Sequence, residues 1–249
     1  MQFTPTPVFD ADSSGVSQFG DLPEWDLSDL YSSPDAPELK RDMEWLEKAC
    51  AGFASDYEGK LAGLDAAAML TCVEAYEKID MIAGRVMSFI GLRYYQNTTD
   101  ADRAKAMSDA QDKITAFTTP LVFFTLELNR IEDDVFAAWF DANADLARYK
   151  PIFDRMRAMR PHQLSDELEK FLHDQSTVGA AAWNRLFDET IAGLTFTVNG
   201  EDKNLEATLD GLTDKDRALR ETSARELARV FGGNVKLFAR VHNTLAKEK

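Results

Sequence analysis

Residues 65–97 read DAAAMLTCVEAYEKIDMIAGRVMSFIGLRYYQN, a run without proline in which Met69, Val73, Tyr76, Ile79, Ala83, Val86 and Ile90 recur at steps of three and four. That spacing places all seven on one stripe of an α-helix, with Asp65 positioned to cap its start and Asn97 near its end. Upstream, Leu39, Met43, Leu46, Cys50, Phe53 and Tyr57 keep the same period and stop at Gly59. Each stripe is apolar on one side only, so each helix must bury that side against another. The spacing predicts a mainly α fold, a multi-helix bundle of long antiparallel helices.

Downstream the punctuation is sparse. No glycine occurs between Gly91 and Gly179, and only Pro120, Pro151 and Pro161 interrupt that span. Because both residues are costly inside helices, their scarcity favours helix. A third helix is expected from Thr99, with Asp102 in its first turn, bent or broken at Pro120 and continued by Leu121 to Phe124 toward Leu128. A short helix follows over Asp133 to Asp141, and another runs to Arg160, where Pro161 stops it. Leu164 and Ser165 open the next, whose first turn holds Asp166 and Glu167, acids suited to the positive end of a helix dipole. One more surrounds Trp183, Leu186, Phe187 and Ile191. The period then changes: Leu194, Phe196 and Val198 alternate with threonines, and Asn199-Gly200 is a strong two-residue hairpin turn. A small β-hairpin is expected near 194–206, its return strand over Lys203 to Glu206. Thr213 is expected to cap a helix to Phe231 that Gly232-Gly233 ends, with a last helix from Asn234 carrying Val235, Phe238, Val241 and Leu245.

The chain has 249 residues, 43 of them acidic and 28 Lys or Arg, a formal charge of −15. An acidic balance of that size excludes a nucleic-acid binder that works by neutralising phosphate. With 45% hydrophobic and 29% charged residues the composition is globular. The longest uncharged stretch, Ile114 to Leu126, contains Pro120 and is too short to span a bilayer, so no membrane partner is expected. Five of the eight prolines and seven acids fall in the first 37 residues, which hold no Lys or Arg. Residues 1–20 are read as a flexible acidic tail and 21–249 as one helical region. With no basic start or apolar stretch to form a secretory signal, and with Cys50 and Cys72 in helices and without C-x-x-C spacing, free buried thiols in a reducing cytoplasm are expected.

The chemistry-bearing motifs are missing. The three histidines, His162, His173 and His242, do not form H-E-x-x-H, the spacing that puts two zinc ligands on one helix face. His162 sits at a helix break and reads as a surface residue; His173, beside Asp174 and one turn from Glu169, reads as a solvated ion pair; His242 flanks Val241 on a helix. There is no G-x-S-x-G, no Cys–His pairing and no Gly-rich phosphate loop. Asp133-Asp134 and Glu24/Asp26 read as solvated helix starts, and Phe123, Phe124, Trp139 and Trp183 as core. No catalytic, cofactor-binding or metal-binding residue is nominated.

The segment Leu22-Pro23-Glu24-Trp25-Asp26-Leu27-Ser28-Asp29-Leu30-Tyr31 resembles the opening of the oligoendopeptidase F family of zinc metallopeptidases, relatives of thimet oligopeptidase. The resemblance continues in order through Tyr94-Tyr95-Gln96-Asn97-Thr98-Thr99-Asp100, Phe123-Phe124-Thr125-Leu126-Glu127-Leu128, Leu164-Ser165-Asp166-Glu167-Leu168-Glu169-Lys170 and Ala182-Trp183-Asn184-Arg185-Leu186-Phe187. The turn Asn199-Gly200, the block Asp216-Arg217-Ala218-Leu219-Arg220 and the ending Asn243-Thr244-Leu245 complete it. Each block is weak singly, and their order over roughly residues 20 to 249 is what is specific.

The resemblance implies the helical N-terminal portion of such an enzyme, forming one wall of a channel that admits short peptides. It also implies that zinc, held in complete members by two His and one Glu, polarises the scissile carbonyl and activates water. Those ligands lie in the C-terminal catalytic half, and nothing between Met1 and Lys249 matches them. The chain alone is therefore expected to be inactive, to hold no cofactor itself, and to have that half as its partner. Its last helix runs to Lys249 without a stop signal, which reads as a truncation or a separately encoded part. A wall freed from its partner would expose an apolar patch and could pair as a homodimer. The alternative class is a free-standing helical interaction or scaffold domain.

Overall fold

The structure is a computed structural model and describes residues 25–248. The expected tail over 1–20 lies outside the described residues. The fold is mainly α, with one two-stranded antiparallel sheet among those residues. They group into two compact units, one of residues 25–96 and 105–175, the other of 97–104 and 176–248.

The first unit is built on α1 (Pro37–Tyr57) and α2 (Ala66–Gln96), whose helical spans agree with their apolar periods. They run antiparallel. Asp42 meets Arg85, Lys78 lies over the Trp45 ring at 5.1 Å, and Phe53 meets Tyr76 at 5.7 Å, so the numbers rise along one helix as they fall along the other. Leu46, Cys50, Met69, Cys72 and Val86 are fully buried between them and their neighbours. Each large apolar side chain so buried contributes about 1.5–3 kcal/mol. The link is stapled from outside: Gly59 takes φ 77°, a left-handed conformation that ends α1, and the Glu127 carboxylate accepts from the Gly59 N–H at 2.6 Å. Trp139 Nε1 donates to the Leu64 carbonyl at 3.0 Å.

α3 (Ala101–Thr118) starts behind Asp100, whose Oδ1 accepts from the N–H groups of Asp102 and Arg103 at 3.0 and 3.1 Å. Pro120 sits in a 3₁₀ turn, Thr119–Leu121, and α4 (Val122–Arg130) follows, so the proline bends the path without ending it. Next come α5 (Asp133–Ala142), α6 (Ala144–Ala147), α7 (Lys150–Ala158) and α8 (Asp166–Gln175). The single helix expected to lead to Arg160 is thus two. Asn143 caps α6, accepting from Asp145 and Leu146 at 3.0 and 3.1 Å, and Pro151 lies in the first turn of α7, where its missing N–H costs nothing.

The second unit holds α9 (Ala180–Ala192), β1 (Phe196–Val198), β2 (Glu201–Lys203), α10 (Leu205–Asp210) and α11 (Arg217–Glu248). Asn199 and Gly200 take φ 55° and 85°, which allows a two-residue loop and pairs Val198 with Glu201. The return strand therefore begins earlier than expected. The stretch expected to carry it instead starts α10, capped by Asn204 Oδ1 accepting from Ala207 N–H at 2.8 Å. Phe196 is buried against Leu227 and Val230 of α11. Two further expectations are corrected. α11 begins behind Asp216, whose Oδ1 accepts from Ala218 N–H at 2.9 Å, while Thr213 closes a preceding 3₁₀ turn. It also passes unbroken through Gly232-Gly233: a helical glycine costs about 1 kcal/mol relative to alanine, too little to stop a helix whose other residues favour it.

Candidate functional site

The first unit contains a cleft of about 560 Å³, within the size range of small-ligand sites. Its apolar surface comes from α2 through Ile79, from the turn and helix after Pro120 through Leu121, Val122 and Leu126, and from α8 through Leu172. Its polar groups are Tyr76 and Asp80 on α2, Thr118 at the end of α3, Thr125 and Asn129 on α4, His162 and Gln163 in the turn after α7, and Glu169 and His173 on α8.

The α4 carbonyls near the cleft are held by side chains from α7 and from the turn after it. Arg157 Nη1 donates to the Leu128 carbonyl at 2.6 Å, and Gln163 Nε2 donates to that of Leu126 at 3.3 Å. Arg157 is itself fixed by Asp133 and by the Phe136 ring, 4.3 Å from its guanidinium carbon. Asn129 is buried and its Oδ1 has no hydrogen-bond partner; the same holds for Gln163 Oε1. On the opposite side, the Thr118 hydroxyl donates to the Ile114 carbonyl at 2.8 Å and lies 3.1 Å from His173 Nε2. A hydroxyl has a single proton, so while Thr118 donates it to Ile114, His173 Nε2–H is the donor to Thr118. Glu169 Oε1 accepts from Leu164 N–H at 2.9 Å, which ties the entry of α8. Burial, reinforced by Asp80 and Cys50, pushes the Tyr76 phenol above its ordinary range and keeps it neutral.

His173 is thus a partner of Thr118 rather than the solvated ion pair expected from its neighbours in sequence. His162 is exposed, as expected, and shares the cleft with it; His242 is an exposed residue of α11. Asp133 and Asp134 do begin α5, and Phe123, Phe124 and Trp139 are core, while Trp183 is half-buried. Asn129 and Gln163 were not legible from spacing. A polar residue closing the mostly apolar run Leu121 to Leu128 was the only trace of Asn129, and Gln163 left none.

Among the described residues no three His, Cys, Asp or Glu side chains converge to hold a metal ion. A zinc site would need them, so the residues present do not fit one. Cys50 and Cys72 are free and buried, and burial pushes their thiols up to about 11 and about 12, leaving them inert. No helix among the described residues is long and apolar enough to cross a membrane. Among the described residues, geometry defines a helical protein with a cleft of small-ligand size.

Residues 127–196 match the family model Peptidase_M3_N, described as Oligopeptidase F. That span includes Asn129, His162, Gln163, Glu169, Leu172 and His173 of the cleft. The plasmid-borne oligoendopeptidase F of Lactococcus lactis subsp. cremoris is 21% identical over 221 residues, 83% of this chain and 35% of that protein. Oligopeptidase PepF of Bacillus subtilis is 24% identical over 229 residues, 89% of this chain and 32% of the relative. In fold, the chain is similar to the crystal structure of oligoendopeptidase-F from Enterococcus faecium, with a TM-score of 0.73 and 21% identity over 84% of this chain and 42% of that one. The resemblance seen in the sequence is borne out: the chain is similar to the oligoendopeptidase F family of peptidases, and its coverage is consistent with an N-terminal half. It spans roughly a third of the length of these curated relatives.

Proposed function

We propose that this chain is the N-terminal helical portion of an oligoendopeptidase F-like zinc metallopeptidase that hydrolyses short peptides, and that it forms one wall of the substrate channel. In this reading the zinc and the H-E-x-x-H helix belong to a C-terminal catalytic half. The present chain is inactive alone and works in the cytoplasm.

The observation that carries the reading is the family match over 127–196, which takes in most of the cleft's polar groups. A second observation supports it: α8 leaves Leu168, Phe171 and Leu172 at least half exposed, an apolar face for the catalytic half to cover or, in its absence, for a second copy of the chain.

Reading the coding DNA past the codon for Lys249 tests the proposal. The expected finding is an in-frame H-E-x-x-H, or a zinc-peptidase half encoded as a separate chain. A stop codon with no such half in the genome would contradict it and favour a free-standing scaffold.

A further inference from the structure

Within the first unit, α8 has its faces reversed. Leu164, Leu168, Phe171 and Leu172 recur at steps of four, three and one, a single stripe that the hydrophobic effect should turn inward. Instead they are 47%, 51%, 57% and 50% exposed, while Asp166, Glu169, Lys170 and His173 are the half-buried residues. None of the ten residues of α8 is buried, whereas α4 buries five of its nine. What holds α8 is polar. Asp166 pairs with Arg130 at the end of α4, Lys170 Nζ donates to Glu58 Oε1 just past α1 at 3.0 Å, His173 Nε2 meets the Thr118 hydroxyl at 3.1 Å, and Asp174 accepts from the Thr119 hydroxyl. Both ion pairs are open to water, with the Asp166 and Lys170 side chains 44% and 38% exposed, so each is weak and screened by salt. The start of the helix is capped from within: Glu169 Oε1 accepts from Leu164 N–H, in the same segment.

We propose that α8 is a hinged flap on the cleft, held closed by these polar ties and released as one piece when they break. Glu169, Leu172 and His173 line the cleft, so release removes that wall and opens the cleft to a ligand. A helix anchored by packed apolar side chains forfeits their burial on leaving. α8 forfeits little, because its apolar stripe is already largely in water. The closed and open positions therefore lie close in free energy, and charge decides between them. The Gln163 Nε2 bond to the Leu126 carbonyl, just before α8, marks the hinge at which the moving segment begins. Such a flap works whatever ligand enters, a peptide included.

Amide hydrogen exchange of the 249-residue chain, read at low salt and at about 1 M NaCl, where the Debye length is about 3 Å, tests the proposal. Residues 166–175 should exchange as one group, about tenfold or more faster than the amides of α4, and about threefold faster again at the higher salt, with α4 as the unmoved reference. Arg130→Gln combined with Lys170→Gln removes both ion pairs. It should speed that group about three- to tenfold at low salt and abolish most of its salt response, while circular dichroism keeps the helix content of the parent. A soluble nitroxide reports the cleft in the parent. It should broaden the methyl signals of Ile79, 3% exposed on the cleft wall, more strongly as salt is raised, and leave unchanged that of Met69, which is buried and does not line the cleft. Exchange of α8 at the pace of α4, exchange indifferent to salt in the parent, or α8 exchange without broadening of Ile79 would overturn it. If the double variant fails to fold, the salt response of the parent decides.

Discussion

Asp42 is a buried carboxylate on an otherwise apolar stripe. Burial alone would push its carboxyl up, but hydrogen bonds from the Tyr31 hydroxyl, at 2.9 Å, and from Arg85, together with the Arg85 charge, hold it below the usual carboxylate range. The same guanidinium lies 4.7 Å from the Tyr31 ring centre and donates through Nε to the Tyr31 hydroxyl at 3.0 Å. Asp42→Ala would leave both donors without their acceptor and should cost about 2 kcal/mol, moderated because the Arg85 side chain is 39% exposed. Tyr31→Phe should cost about 1 kcal/mol. Urea unfolding followed by circular dichroism measures both; values near zero would mean the triad is ornamental. Because the folded-state value is depressed, the triad's contribution is present above the usual Asp range and lost as pH falls through the folded value. The neighbouring Arg41, which also donates to Asp42 Oδ1 at 3.3 Å, can be read from the sequence. The partners that bury the carboxylate, Tyr31 and Arg85, are 11 and 43 residues away, and long-range pairing leaves no periodic signature.

Among elements, legibility followed the strength of the local signal. α1 and α2 could be read because amphipathic periods over many residues leave one buried side. Gly232-Gly233 misled for the opposite reason. Glycine ends a helix when the chain can turn into a left-handed cap, and nothing at this pair requires it. A Cβ at either position meets no atom within 4 Å. Gly232→Ala and Gly233→Ala should therefore each stabilise the protein by about 0.5–1 kcal/mol, read as a higher urea midpoint; a loss would show that the helix breaks there. At Gly200 the sign reverses, since φ is 85° and an alanine would be strained. The hairpin is also tied to α11 by Glu226, which accepts from Thr197 N–H at 2.9 Å. Arg229 and that N–H lower the Glu226 carboxyl from 4.5 to about 2. Its contribution should be complete above pH 4.5 and be lost as pH falls toward about 2. Amide exchange at Thr197 measured across that interval checks this: protection should fall on acidification in the parent, whereas in Glu226→Gln the decline should be absent.

For the whole molecule, the sequence conveyed class and kinship but not the site. Mainly helical architecture and the likeness to oligoendopeptidase F rest on ordered blocks that span most of the chain, and both are found. The cleft does not reside in any block. Asp80, Asn129, Gln163 and Glu169 come from four separate segments, and only folding brings them to one cleft. The central claim is that these helices shape a place for peptide while the metal belongs to another part of the enzyme. The most direct measurement takes the purified 249-residue chain, equilibrated with zinc and freed of excess, and determines both its metal content by mass spectrometry and its hydrolysis of a fluorogenic peptide. Far less than one zinc per chain and no hydrolysis above background are expected. Stoichiometric zinc accompanied by turnover that a chelator abolishes would contradict that claim.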